Sequence, residues 1–317
     1  MTPIIYKIKQ QSIMTVFQTR ALSAAVFGIV MMVGLFWNQV SFISLFFIIS
    51  SGCLWEFLKL NLEPNILRRN VYFIVGICLN ALLIFYVLNW NTLGSWNLNT
   101  AIGWNGLFPY LTYLLSPFLS TIITLPFLFL ILELFLKAEK PFQNIATFLT
   151  GIVYTLIPFS LIQAFILSSN KAFSLEGIFS GFAGFTPNIV AGMLFLTWAN
   201  DSFAYIIGSR IGKTPLFPRI SPKKTWEGTI GGGLMCMVTA GVISLFFKEL
   251  NIINWIIVGG IVAVFGTLGD LVESMLKRSV GVKDSGSIMP GHGGFLDRFD
   301  AFMFIIPFVY AYLLFVR

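Results

Sequence analysis

The strongest chemical signal in this sequence is a polar stretch between Asp270 and Asp300. These 31 residues carry nine of the 33 charged side chains and the single histidine, although charged residues make up only 10% of the chain. The stretch offers carboxylates without cysteine, a ligand set that favours magnesium over zinc. Its basic side chains would neutralise phosphate groups, which commonly accompany magnesium. The composition of the stretch therefore predicts a site for a divalent cation and a polyphosphate.

The acidic residues are spaced so that helices can position them. Asp270, Glu273 and Lys277 follow a spacing of i, i+3 and i+7, which places them on one stripe of a helix. Asp297 and Asp300 lie three residues apart just before the last apolar segment, and we expect them in its first turn. Carboxylates this close to hydrocarbon are costly unless they face a polar cavity, a cation or a partner charge. Glu273 has a second interpretation, which is an i, i+4 pair with Lys277.

A glycine-rich loop, 281–294, separates the two groups of acids, and its backbone can approach a ligand closely. His292 stands between two glycines in this loop, and its position leaves open whether the ring caps the backbone or takes part in catalysis. The basic residues of the stretch are assigned to phosphates, without deciding which phosphate each one binds: Lys277, Arg278, Lys283 and Arg298.

A second basic segment precedes this stretch. The residues from Asn200 to Gly233 include five basic side chains and three prolines, and they end in a run of glycines. The two polar segments flank the same pair of apolar segments, 229–247 and 252–273. They can therefore meet at one site.

The rest of the chain has the composition of a membrane protein. Hydrophobic residues make up 57% of the sequence, with 34 phenylalanines and a mean hydropathy of +0.86, which excludes an ordinary soluble domain. The net charge of +7 comes from basic residues in short loops between apolar runs, so it indicates membrane topology and not a nucleic-acid partner. The three cysteines are scattered singly, and they predict neither a zinc site nor disulfides.

Apolar runs of bilayer length predict an all-α integral membrane protein with about nine transmembrane helices. Five lie in an N-terminal region, 1–187, and four lie in a C-terminal catalytic region, 188–317, with cytoplasmic loops at 209–228 and 274–300. We expect both regions to form one integral membrane domain. The predicted segments are 21–37, 40–58, 71–90, 112–136, 145–167, 188–208, 229–247, 252–273 and 301–316.

The distribution of basic residues predicts the orientation of these helices. With the N-terminus in the cytoplasm, 17 of the 20 Lys and Arg residues fall on the cytoplasmic side. Nine spans then place the C-terminus on the opposite side and both polar segments in the cytoplasm. The N-terminal residues lack an Arg/Ser-rich transit-like segment, which favours a bacterial inner membrane over an organelle membrane.

Two acids and one loop have no assigned role from the sequence. Glu56 and Glu133 lie inside apolar segments, where each lines a polar cavity or satisfies a neighbouring helix. The loop 91–110 contains neither Lys nor Arg, and no function is predicted for it.

The run from Ser274 to Asp300 resembles the signature of the phosphatidate cytidylyltransferase family, whose members are also called CDP-diacylglycerol synthases. The similarity rests on Ser-Met-Leu-Lys-Arg at 274–278 and on Lys-Asp-Ser-Gly-Ser-Ile-Met-Pro-Gly-His-Gly-Gly-Phe-Leu-Asp-Arg-Phe-Asp at 283–300. A second family segment is similar to Arg-Ile-Ser-Pro-Lys-Lys-Thr-Trp-Glu-Gly at 219–228. The resemblance covers roughly the C-terminal 120 residues.

This resemblance implies a homodimeric membrane enzyme that joins CTP to phosphatidic acid and releases pyrophosphate. It implies Mg²⁺ bound by Asp270 and Asp297, with a second cation left open, and Asp300 and Asp284 as further ligands or as groups that orient them. Asp201 is expected at the entrance to the site. The expected catalytic residues are Asp270, Asp297, Asp300, Lys277 and Arg298. The expected substrate-binding residues are Ser221, Lys223, Lys224, Thr225, Arg278, Lys283, Asp284, His292 and Asp201.

Two other functional classes share some of these features. A transporter of an anionic substrate would also need acids inside the membrane, but it predicts polar or broken helices in both halves of the chain. A CTP-dependent lipid kinase would share the metal and triphosphate groups and would transfer the γ-phosphoryl group instead of the cytidylyl group. The charge of this chain is concentrated at one end of its last three spans, which favours cytidylyl transfer over transport.

Overall fold

The fold is known from a computed structural model, which describes residue 18 and residues 21–88, 124–165, 187–288 and 293–316. The regular secondary structure of these parts is helical apart from one short hairpin, with loops between the elements. Seven of their helices are long and apolar enough to cross a membrane, and two shorter apolar helices accompany them. The prediction of an all-α integral membrane protein is confirmed at this level.

Each of the nine predicted apolar segments contains a helix within the described residues. The helices α1 and α4 are the two short ones, and α5 is interrupted by a π turn at Ile152–Leu156. The bounds are α1 Ala21–Phe36, α2 Gln39–Asn61, α3 Ile66–Leu88, α4 Thr124–Phe135, α5 Pro141–Ile162, α6 Asn188–Ile211, α7 Trp226–Phe246, α8 Ile252–Ser279 and α9 Leu296–Val316.

The helices of the C-terminal region extend beyond the segments predicted from hydrophobicity. Helix α8 continues to Ser279 instead of ending at 273, and α9 begins at Leu296 instead of 301. Both differences have one cause. The length of an apolar run corresponds to the thickness of the hydrocarbon layer, whereas a helix continues as long as its backbone groups remain hydrogen-bonded. The acids predicted at these ends therefore lie on helices, and only the two ends of the predicted loop 274–300 are helical.

The cytoplasmic loop predicted at 209–228 contains a two-stranded antiparallel hairpin. Its strands are β1 (Pro215–Phe217) and β2 (Ser221–Thr225). The Glu227 carboxylate accepts hydrogen bonds from the backbone N–H groups of Lys213 (3.1 Å) and Thr214 (3.2 Å), which ties the hairpin to the first turn of α7. The sequence did not predict these strands, because they are short and interrupted by proline.

Small residues bring the last four helices together. Gly228 and Gly232 of α7 lie against the backbone of α6 at Ala204, so a side chain at either glycine would collide with it. In the same way, Gly269 of α8 lies against the backbone of Asp300 in α9. Successive helices from α6 to α9 therefore pack side by side, and acids from two of them meet.

The main buried cluster joins both predicted regions of the chain. It includes Phe42 and Phe46 of α2, Phe159 of α5 and Phe302 of α9. Helix α9 thus packs against α2 and α5 as well as against α8. This arrangement places the first turn of α9 between the two regions, where the charged residues lie.

Candidate active site

Three carboxylates form the centre of the charged cluster. Asp270 and Glu273 come from α8, and Asp300 comes from α9. One oxygen from each lies within 4.8 Å of the others, and among the described residues this is the group of acids close enough to hold one cation. Hard oxygen donors at this spacing suit a magnesium ion. The close approach of the two helices at Gly269 makes the grouping possible.

Lys277 links this cluster to the start of α9. Its Nζ lies 2.5 Å from Glu273 Oε2 and 2.8 Å from Asp297 Oδ1. The Glu273 side chain is fully buried, and Lys277 and Asp297 are only 13% and 8% exposed. The predicted i, i+4 pair of Glu273 and Lys277 is confirmed, and the same ammonium group also serves Asp297.

Both carboxylate oxygens of Asp297 are bonded to groups of the protein. Oδ1 pairs with Lys277, while Oδ2 accepts hydrogen bonds from the N–H of Ser285 (2.9 Å) and the N–H of Gly294 (2.8 Å). The Ser285 hydroxyl lies 2.9 Å from the same oxygen. The role of Asp297 as a metal ligand stays a prediction. In the structure, Asp297 instead holds Lys277 and the glycine-rich loop in place through these bonds.

A cavity of about 540 Å³ opens beside the carboxylates, between α6, the hairpin, α7 and α8. Asp270 lies on its wall and belongs to both the cavity and the carboxylate cluster. The other polar residues that line it are Asn200, Asp201, Tyr205, Ser209, Lys223, Lys224, Thr225, Thr229 and Thr267. Its size is within the range of small-molecule sites.

The hairpin supplies the basic side of this cavity. The Nζ of Lys224 forms an ion pair with Oδ2 of Asp270. Lys223 is exposed on the same strand and also lines the cavity. The Thr225 hydroxyl accepts a hydrogen bond from the N–H of Gly228 (3.2 Å) and so caps α7. Ser221 lies on the same strand but is not among the residues that line the cavity.

The remaining predicted residues lie around this centre, outside the cavity lining. Arg278, Lys283, Asp284 and Arg298 are exposed side chains. Their exposure keeps them accessible to an anionic substrate, and their roles stay predictions. His292 and the loop 91–110 lie outside the described residues.

Comparison with known proteins identifies the family of this chain. Residues 18–316 match the profile of the cytidylyltransferase family. The chain belongs to this family. The match covers both predicted regions, so the N-terminal helices are part of the cytidylyltransferase framework as well as the C-terminal ones.

Individual relatives in bacteria carry a more specific name. The chain is 43% identical over 166 residues to a phosphatidate cytidylyltransferase of Staphylococcus haemolyticus, a match that covers 47% of this chain and 64% of the relative. It is 53% identical over 114 residues to one from Staphylococcus aureus (35% and 44% covered) and 50% identical over 114 residues to one from Bacillus subtilis (36% and 42%). These matches span less than two thirds of each curated relative. They confirm the resemblance seen in the sequence.

Two residues of the cytidylyltransferase site were missed or left open by the sequence. Glu56 of α2 lies 2.8 Å from the Ser285 hydroxyl and contacts the start of α9, so it belongs to the site. Ser285 was recognised in the sequence only as part of the family motif at 283–300, without a role of its own. The signal for Glu56 was its place as an acid in an apolar helix, but its partners lie more than two hundred residues away in the chain.

The other unassigned acid belongs to a separate network. Glu133 of α4 pairs with Arg68 at 2.9 Å and accepts a hydrogen bond from the Tyr72 hydroxyl at 2.7 Å. Arg68 also pairs with Glu63 at 2.7 Å. These contacts join α3 and α4 with the connection between α2 and α3, and Glu133 satisfies neighbouring helices instead of lining the cavity.

Proposed function

We propose that this chain transfers the cytidylyl group of CTP to phosphatidic acid, giving CDP-diacylglycerol and pyrophosphate. The observation that carries the proposal is the cluster of three carboxylates beside a cavity with lysine side chains, in a chain of the cytidylyltransferase family. The names of its bacterial relatives, phosphatidate cytidylyltransferases, support this choice of substrates.

The carboxylate cluster suits a magnesium ion. Asp270, Glu273 and Asp300 would hold it, since their oxygens are close together and are hard donors. We place the ion there and not on Asp297, whose oxygens are bonded to Lys277, Ser285 and Gly294. When bound, the ion neutralises charge that develops on the triphosphate during the reaction. A second cation would need Asp284 or a substrate oxygen as a further ligand.

The cavity is the proposed binding site for CTP. Lys223 and Lys224 supply positive charge for the triphosphate at one wall, and Asp270 connects that wall to the carboxylate cluster. The ion pair of Lys224 with Asp270 keeps both groups in place before a substrate binds. Asp201 of α6 also lines this cavity, and its role at the entrance is part of the proposal.

The proposed reaction needs positioning more than proton transfer. An oxygen of the lipid phosphate attacks the α-phosphorus of CTP, the bond from that phosphorus to the bridging oxygen breaks, and pyrophosphate leaves. An ionised lipid phosphate is already a nucleophile, so no general base is required, and His292 is not needed as one. The exposed Arg278, Lys283 and Arg298 are placed to attract anionic substrates.

The orientation and assembly of the protein are also proposals. Nine spans, a cytoplasmic N-terminus and the excess of basic residues would place the site on the cytoplasmic side of a bacterial inner membrane. The C-terminus would then lie outside the cytoplasm. A homodimer follows only from the resemblance, and chemical cross-linking in native membranes tests it.

The deciding experiment uses purified protein in detergent with phosphatidic acid, Mg²⁺ and CTP labelled separately at its α- and γ-phosphates. Cytidylyl transfer puts the α-label into the lipid and the γ-label into pyrophosphate. Label from the γ-phosphate in the lipid would indicate a lipid kinase. Absence of transfer from either position, with uptake of an anion into proteoliposomes, would indicate a transporter.

A further inference from the structure

The buried carboxylate of Glu56 holds the start of α9 from a distant part of the chain. Glu56 lies in the last third of α2 and is only 3% exposed. Its Oε1 accepts a hydrogen bond from the N–H of Phe295 (3.0 Å), and its Oε2 accepts one from the N–H of Leu296 (2.9 Å). The Ser285 hydroxyl lies 2.8 Å from Oε2. Three donors from the glycine-rich loop and the helix start thus converge on one carboxylate.

These donors are groups that a helix cannot satisfy by itself. The first N–H groups of a helix have no partner within it, and a short polar side chain normally caps them. The residue before α9 is Phe295, which has no side-chain acceptor. Glu56 supplies that acceptor from another helix, and its negative charge also complements the positive end of the helix dipole.

The surrounding chain is shaped to admit this carboxylate. A side chain at Gly286 or at Gly294 would collide with the Glu56 carboxyl group. One turn earlier in α2, a side chain at Gly52 would collide with the Phe295 ring. The absence of these side chains lets α2 and the loop approach closely.

We propose that Glu56 is a positioning residue for the cytidylyl-transfer site, a role that rests on the function proposed above. By fixing the first turn of α9, it sets where Asp300 stands relative to the acids of α8. It also helps to place Ser285, whose N–H and hydroxyl contact the Asp297 oxygen next to the one that binds Lys277. Glu56 itself does not belong to the carboxylate cluster or to the cavity lining.

The substitution Glu56→Gln tests this role. It keeps the shape of the side chain but replaces one acceptor oxygen with an NH₂ group, which would face the N–H of Phe295 or of Leu296. We expect kcat to fall about 100-fold, since a displacement of about 1 Å at a reacting centre has that effect. The KM for CTP should stay within about threefold, since the cavity residues are untouched.

Glu133→Gln is the matched control. Glu133 is a buried acid like Glu56, with 1% exposure, and it bonds to Arg68 and Tyr72 instead of to the loop. This variant should lower the thermal midpoint in detergent while keeping kcat per folded molecule. Glu56→Asp retains the charge with a shorter reach and should recover part of the lost kcat. It also serves as the test if Glu56→Gln fails to fold.

Hydrogen exchange gives a readout that does not depend on activity. Peptides that span 285–300 should exchange faster in Glu56→Gln than in the wild type, and they should be unchanged in Glu133→Gln. The proposal is overturned if Glu56→Gln keeps the wild-type kcat, or if both variants lose activity only in proportion to their folded fraction. If the wild type itself transfers no cytidylyl group, the proposed function fails. Unchanged exchange at 285–300 would then refute the anchoring role separately.

Discussion

Removing the ammonium group of Lys277 should destabilise the protein strongly. Lys277 is the positive partner of two carboxylates, at 2.5 Å from Glu273 Oε2 and 2.8 Å from Asp297 Oδ1. At an effective dielectric constant of about 20, each contact corresponds to roughly 6 kcal/mol of Coulomb attraction. Desolvation of the three charged groups offsets most of that attraction. An experiment measures the free energy of unfolding that is lost when the two acids no longer have a positive partner.

The expected loss for Lys277→Met is about 3–5 kcal/mol in the free energy of unfolding, the usual cost of breaking a buried ion pair. The Glu273 side chain has no solvent exposure to compensate for the lost charge. Adding Glu273→Gln should recover about half of the loss, because one of the two uncompensated acids is then neutral.

Reversible unfolding of the purified protein by SDS in mixed micelles measures these differences. Lys283→Met is the control, because Lys283 is exposed and its substitution should change stability by less than about 0.5 kcal/mol. A loss below about 1 kcal/mol for Lys277→Met would refute the reasoning, since it would mean that water screens the cluster. A double variant no more stable than Lys277→Met would show that Glu273 is not the acid that Lys277 compensates.

Three further outcomes are expected. Asp300→Asn should abolish Mn²⁺ binding, as measured by electron paramagnetic resonance. Asp297→Asn should retain Mn²⁺ binding but lower the stability of the protein. The reverse result would assign the cation to Asp297. Lys223→Ala should raise the KM for CTP about tenfold, the value of one charged hydrogen bond, and unchanged kinetics would make Lys223 a topology signal only. A C-terminal tag should resist protease in intact inverted vesicles and be digested after detergent is added, whereas digestion without detergent would contradict the nine-span orientation.

The sequence alone was sufficient to predict the charged residues of α8 and the all-α membrane fold. Hydrophobic runs and helical spacing are local properties, and they correctly placed Glu273 and Lys277 one turn apart in a membrane helix. The same reasoning predicted Asp297 and Asp300 in the first turn of the last helix; the structure places Asp297 there and Asp300 at the start of the second turn. The hairpin in 209–228 was not predicted, because its strands are only three and five residues long and each contains a proline.

The sequence by itself determined which residues can do chemistry, because residue type and periodic spacing are local properties of the chain. Only the tertiary structure decided which acids share a cluster: Asp300 joins Asp270 and Glu273, while Asp297 pairs with Lys277. It also assigned the two buried acids, since Glu56 caps α9 and Glu133 pairs with Arg68. The physical reason is that these partners are brought together by helix packing over long separations in the chain, which local patterns do not encode.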